Sequence, residues 1–233
     1  MKAIDKQYLK TPFYGRRRMK EVLNRQGFKI GQKKVSSLMK KMNLRAIYPK
    51  EKTSIPNKAH KIYPYLLKDI LITRSNQVWC SDITYIPASK GFMYLCVIMD
   101  WYSKKVMSWS LSNSLDVDFC VSSLERAIFN NGKPEIFNTD QGSQYTSNEF
   151  IRVLKDKNIK ISMDSKGRYI DNIFIERLWR SLKYELIYIR DFDSVKELRS
   201  ALRDWFKYYN KERVHQSLSY KTPDEVYYSL KVA

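Results

Sequence analysis

The sequence predicts an α/β protein: a mixed five-stranded sheet flanked by helices and preceded by a small helical domain. Three observations lead there. Residues 1–78 carry helical patterning and 20 Lys/Arg against 4 Asp/Glu, a net +16 of the chain's +19. From residue 78, three stretches rich in β-branched and aromatic residues succeed one another at hairpin spacing. Beyond them, amphipathic helical stretches alternate with two short apolar runs. At 233 residues, 43% hydrophobic and with 7 Gly and 7 Pro, the chain can bury a sizeable core, which excludes a disordered or collagen-like protein.

In "TPFYGRRRMKEVLNRQG" (11–27), Thr11 is placed to cap a helix and Pro12 suits its first turn. Met19, Val22 and Leu23 repeat at helical spacing before Gly27 ends the run. In "IGQKKVSSLMKKMNL", Val35, Leu38, Met39 and Met42 form a second stripe, leaving Lys33, Lys34, Lys40 and Lys41 on the other faces. Two short basic helices joined by a Gly-containing turn resemble a helix-turn-helix over residues 1–45. Arg16, Arg17 and Arg18 on the first helix and those four lysines on the second are its candidate DNA contacts. Residues 46–77, with Pro49, Pro56 and Pro64 among many lysines, read as a basic linker with a short helix near "YPYLLKDI".

"QVWCSDITYI", "MYLCVIMD" and "KVMSWSLS" read as a three-stranded meander, with "PASKGF" as the first turn. A helix from about Asp116 to Asn130, a buried strand "EIFNTD", a helix from about Ser147 to Lys157 and a strand "IKISM" follow. A long helix is expected from Asp171 to Tyr188, its apolar face made by Ile175, Leu178, Trp179, Leu182 and Leu186. Another, "SVKELRSALRDWFKYYNKER", carries Leu198, Leu202, Trp205, Phe206 and Tyr209 at core spacing. The order β-β-β-α-β-α-β-α is that of the ribonuclease-H-like architecture, placed at residues 78–190 with 191–233 as a helical extension.

The charge asymmetry points to a polyanionic partner, nucleic acid being the commonest. Cys80, Cys96 and Cys120 are odd in number, lie in apolar runs and lack C-x-x-C spacing, so they read as reduced core residues of a cytosolic protein. The N-terminus has no apolar signal core. The longest apolar run, "FMYLCVIM", is too short to span a bilayer, so no membrane role is expected.

In this architecture, carboxylates at the middle of the first strand, the end of the fourth and the inward face of the following long helix can converge. Those places hold Asp82, Asp140 and Glu176. Each has a plainer explanation: an edge charge for Asp82, a turn cap before Gly142 for Asp140, a solvated helical charge for Glu176. Together they suggest more, because converging carboxylates repel unless a cation lies between them. An all-oxygen donor set suits Mg2+ or Mn2+, and no His/Cys cluster suits zinc. Two such ions can hold the attacking and leaving oxygens of a phosphodiester in line.

The blocks "WCSDITYI", "NTDQGSQYTS" and "DNIFIERLWRSLKYE", with 35 residues between Asp140 and Glu176, resemble the catalytic core of DDE transposases and retroviral integrases. Within that superfamily the chain is most similar to bacterial insertion-sequence transposases of the insertion-sequence-three group, whose catalytic part is a second reading frame. "TPFYGRRRM", "LMKKMNLRAIYPK" and "YYNKERVHQSLSYKTPDEVY" extend the likeness over almost the whole length.

The resemblance implies metal-dependent strand cleavage and strand transfer at insertion-sequence ends. Asp82 would ligate both of two metal ions, with Asp140 on one and Glu176 on the other. It implies that Arg180 and Lys183, on the helical face of Glu176, meet DNA phosphates, that Asn172 steers the Glu176 carboxylate, and that Gln141 and Gln144 line the active-site loop. It further implies element ends and target DNA as partners, several copies assembling on DNA, and a cytoplasmic, nucleoid-associated bacterial location. Relatives are completed by an upstream reading frame, so a chain shortened at its N-terminus and dependent on that partner is one expectation. The chain departs from many relatives at Asn138, Thr139 and Val214; none is a predicted ligand, and His215 is read as structural. A nuclease that hydrolyses without joining, and a DNA-binding remnant without catalysis, stand as alternatives.

Overall fold

The computed structural model describes residues 1–47, 61–88, 91–164 and 173–229. The chain divides into two compact units, Met1–Ile55 and Pro56–Ala233. The first holds three helices, α1 (Lys2–Lys10), α2 (Arg16–Arg25) and α3 (Gln32–Lys41). Ile4, Met19, Leu23, Val35 and Met39 form its buried core. The expected apolar stripes of α2 and α3 are therefore the ones that pack. Two details differ from the sequence reading. Helix α1 was not anticipated, because its apolar face is only Ala3, Ile4 and Tyr8. Thr11 also closes α1 instead of opening α2: its Oγ1 donates to the Gln7 carbonyl at 3.1 Å, and α2 starts only after Gly15. Gly27, at φ 90°, ends α2 as expected.

The second unit is built on a five-stranded sheet: β1 (Val78–Ala88), β2 (Gly91–Asp100), β3 (Val106–Ser112), β4 (Ile136–Thr139) and β5 (Lys160–Met163). The strands lie in the order β3-β2-β1-β4-β5. β1 pairs antiparallel with β2 and β2 with β3, while β4 runs parallel to both β1 and β5. Alternation along the strands sorts the two faces. Cys80, Leu95, Val97 and Met99 face a core completed by α6 (Ile173–Leu182) and α7 (Val195–Lys211). Trp79, Cys96, Ile98 and Phe137 face one completed by α4 (Asp118–Asn131) and α5 (Asn148–Asp156). Ser147 caps α5, its Oγ accepting from the Phe150 N–H at 3.2 Å. All three cysteines are buried and free, as core residues.

The mixed five-stranded sheet flanked by helices matches the predicted fold class, with local differences. The helix carrying Glu176 ends in a π-helical turn, Lys183–Ile187. "YPYLLKDI" forms no helix; it runs without regular structure to a turn at Asp69, which adopts φ 63°. Residues 61–77, assigned by composition to the linker, lie against the sheet: the Leu66 N–H donates to Ser162 Oγ at 3.0 Å and Leu67 enters the core. α7 fills the centre of one face, and Tyr227 of α8 (Pro223–Ser229) is buried in the other. The C-terminal segment is thus part of the main core. No described helix is long and apolar enough to cross a membrane.

Candidate active site

The parallel pairing of β1 with β4 aligns Val78 with Ile136 and Cys80 with Asn138. β4 ends at Thr139, so Asp82 lies two residues beyond the paired stretch of β1 and Asp140 directly after β4, and the Asp140 charge reaches Asp82. The β4–β5 pairing ends at Thr139 with Met163, and just beyond it the Asp164 N–H donates to the Thr139 carbonyl at 2.9 Å. Asp82 sits in mid-strand with its side chain on the α6 face, and Trp179 of α6 donates its indole N–H to Asp82 Oδ2 at 2.8 Å. Glu176 stands exposed one helical turn before Trp179.

Burial pushes the Asp82 carboxyl above the ordinary carboxylate range. The Trp179 and Ile83 N–H groups pull it back, and the negative charges of Asp140 and Glu176 push it up further. Asp140 reaches solvent at the end of β4, yet the protein mass around it also raises its carboxyl, against a 2.8 Å hydrogen bond from the Gly142 N–H. A Cβ added at Gly142 would meet Asp140 Oδ1 at 2.9 Å, so the close approach of that carboxylate requires glycine there. Among the described residues, no lysine or arginine is ion-paired with Asp82, Asp140 or Glu176.

Polar contacts tie the loop after Asp140 to its surroundings. Tyr145, in the loop after Asp140, shares a 2.9 Å hydrogen bond with Ser81 Oγ, which also donates to the Val97 carbonyl, so the loop is tied to the strand of Asp82. Asn138 Nδ2 donates to Asp164 Oδ1 at 3.0 Å and Gln141 Nε2 to the Asp164 carbonyl at 2.9 Å. Gln144 Nε2 donates to the Leu115 carbonyl at 2.7 Å. Both glutamines thus tether the loop from its two sides. Trp179, Tyr145 and Asp164 were not singled out as site residues from the sequence. For Trp179 a signal existed: an indole on a buried helical face needs an acceptor, and Glu176 is three residues away.

Arg180 is exposed with its guanidinium 6.0 Å from the Tyr184 ring, and Lys183 is partly buried where the π-helical turn begins. Arg16, Arg17, Arg18, Lys33, Lys34 and Lys40 are exposed in the first unit. Lys41 is exposed as well. Asn172 lies outside the described residues, as do residues 165–171 leading into α6. His215 meets the Tyr209 ring edge-on at 4.9 Å; burial, with the Arg213 charge, lowers its pKa to about 4, which fits a structural role.

The donor set is oxygen only and its charges are uncompensated, a chemistry that fits Mg2+ or Mn2+. Among the described residues, however, no three His, Cys, Asp or Glu side chains are gathered closely enough to hold a metal ion. The charges of both Asp140 and Glu176 act on Asp82, and the helix of Glu176 is joined to Asp82 by the Trp179 contact.

Lys104 lies against the first turn of α6. Its ammonium lies 3.0 Å from the Phe174 ring centroid and donates to the Trp101 carbonyl, and burial lowers its pKa to about 8. Between about pH 8 and 10.5 the unfolded chain therefore holds more protons at this site, so its contribution to stability improves as pH rises through that window. The stability difference between the parent and Lys104→Met should move in the parent's favour from pH 8 to 10, by about 1 kcal/mol per pH unit at its steepest. Chemical denaturation of both proteins at three pH values checks this.

Residues 72–169 and 157–223 match two models of an integrase core domain, and residues 1–52 match an HTH-like domain. The chain is 34% identical over 219 residues to the transposase for insertion sequence element IS904 of Lactococcus lactis subsp. lactis (strain IL1403), covering 91% of this chain and 86% of that one. It is 30% identical over 218 residues to the transposase InsF for insertion sequence IS3A of Escherichia coli (strain K12), covering 91% and 76%. Among solved structures, it is similar to the HTLV-2 integrase catalytic core domain in complex with magnesium, with TM-score 0.55 and 26% identity over 66% of this chain and 97% of that one.

Proposed function

The chain belongs to the insertion-sequence transposases with an integrase core, and from that premise we propose that it cleaves DNA at element ends and joins them to target DNA through Asp82, Asp140 and Glu176. What supports this reading is that the charges of both Asp140 and Glu176 act on Asp82, with the helix of Glu176 joined to Asp82 by the Trp179 hydrogen bond. The three carboxylates would hold one or two Mg2+ or Mn2+ ions. When bound, such ions polarise the phosphodiester and generate the attacking oxygen.

The protein supplies position. Trp179 holds Asp82 Oδ2, while the Gly142 N–H turns Asp140 Oδ1 toward the loop backbone. Tyr145 and Asp164 fix the loop between them. Arg180 and Lys183 are proposed to meet the phosphates beside the reacting bond, and the basic residues of α2 and α3 to bind the duplex. Assembly of several copies on DNA is part of the same proposal.

Incubation of the protein with Mn2+, a labelled element end and target plasmid should yield a joined product. Hydrolysis with no joined product at any cation concentration would leave only a nuclease.

A further inference from the structure

A groove of about 710 Å³ runs along the outer edge of β3 between α4 and α7. It lies apart from the carboxylates, since β3 is two strands from β1 and thus about 10 Å or more from Asp82. Six of its lining side chains are basic, and its carboxylate, Asp224, is paired with Lys105 at 2.7 Å. Some of this polarity serves the fold. Arg126 Nη2 donates to the Trp109 carbonyl at 3.1 Å and Arg199 Nη2 to the Leu111 carbonyl at 3.3 Å, while the Asn210 amide covers both backbone groups of Val106 at 2.9 Å. The edge strand is therefore covered by side chains at these points and is a poor template for another strand.

Arg203, Lys207 and Lys211 remain. They are exposed, follow Arg199 at four-residue intervals along α7, and make no ion pair among the described residues. Like charges at that spacing repel and weaken a helix, a cost an anion laid along the row removes. From Arg199 to Lys211 the row spans about 18 Å, the rise of about five nucleotides in one strand of a duplex.

We propose that this groove binds the phosphate backbone of duplex DNA without regard to sequence, as a contact separate from the carboxylates and from the N-terminal helices. The proposal takes from the assigned function only that the partner is DNA. Binding of the full chain to a duplex of about 30 base pairs, measured from about 50 to about 200 mM salt, tests it. Arg203→Gln/Lys207→Gln/Lys211→Gln should lower the slope of log affinity against log salt by 2 to 3, so that over this range the parent loses roughly 40-fold more affinity than the variant.

Lys155→Gln/Lys157→Gln/Lys160→Gln, equally exposed near the opposite edge of the sheet, should change the slope by less than about 1. An unchanged slope in the α7 variant, equal losses in both variants, or a changed oligomeric state by sedimentation with unchanged DNA affinity would each overturn the proposal. Equal melting temperatures establish that the variants fold. The outcome is independent of whether the protein joins strands.

Discussion

Asp140→Asn is expected to slow strand cleavage and joining by about 10³-fold or more, about 4 kcal/mol of transition-state stabilisation, without loss of fold or DNA affinity. The amide keeps an oxygen to accept the Gly142 N–H, so the loop retains its cap. It also removes one of the negative charges that push on Asp82, so the variant should be at least as stable as the parent. What it loses is the anionic donor a hard divalent cation demands. Single-turnover cleavage of a labelled element end, run beside thermal melting and a DNA-binding titration, reads all three quantities. Cleavage within tenfold of the parent would return Asp140 to a turn-capping role.

Trp179→Phe should produce the second-largest effect. Phenylalanine keeps most of the ring volume against the core of α6 but removes the 2.8 Å hydrogen bond to Asp82 Oδ2. Leaving that partly buried oxygen without its donor should cost about 1 kcal/mol of stability, near the lower bound because water can reach it. The larger consequence is at the site. A carboxylate no longer held by its outer partner loses about 10- to 100-fold in metal affinity or activity. The cation concentration giving half-maximal cleavage should rise by a similar factor, a shift that loss of packing alone does not produce. An unchanged cation requirement would make Trp179 a packing residue only.

The meander β1–β3 was legible because its residues alternate between two buried faces while drawing on β-branched and aromatic types, a local pattern. β4 and β5 were legible as short apolar runs between helices. α1 was not, since a helix with three apolar contacts gains its stability from tertiary packing and leaves little trace in composition. The segment 61–77 misled for a related reason: its prolines and lysines read as linker, although Leu67 and the backbone of Leu66 are spent on the sheet. Trp179 lies on the apolar face its spacing predicts, but its indole N–H serves a second purpose that periodicity does not encode.

Composition, spacing and residue type by themselves determined that the chain is a basic α/β protein, that three carboxylates occupy the ends and middles of particular elements, and that the helix bearing one of them has an apolar face. Only the tertiary structure decided which groups are neighbours. Asp82 and Asp140 are 58 positions apart in the chain, and the parallel pairing of β1 with β4 brings their charges within reach of one another. Asp164 meets Asn138 from the end of β5, and Trp179 reaches Asp82 through the packing of α6. Local propensity fixes which atoms a strand or helix presents. Strand register and helix docking are settled by burial summed over the whole sheet, and they fix what those atoms meet.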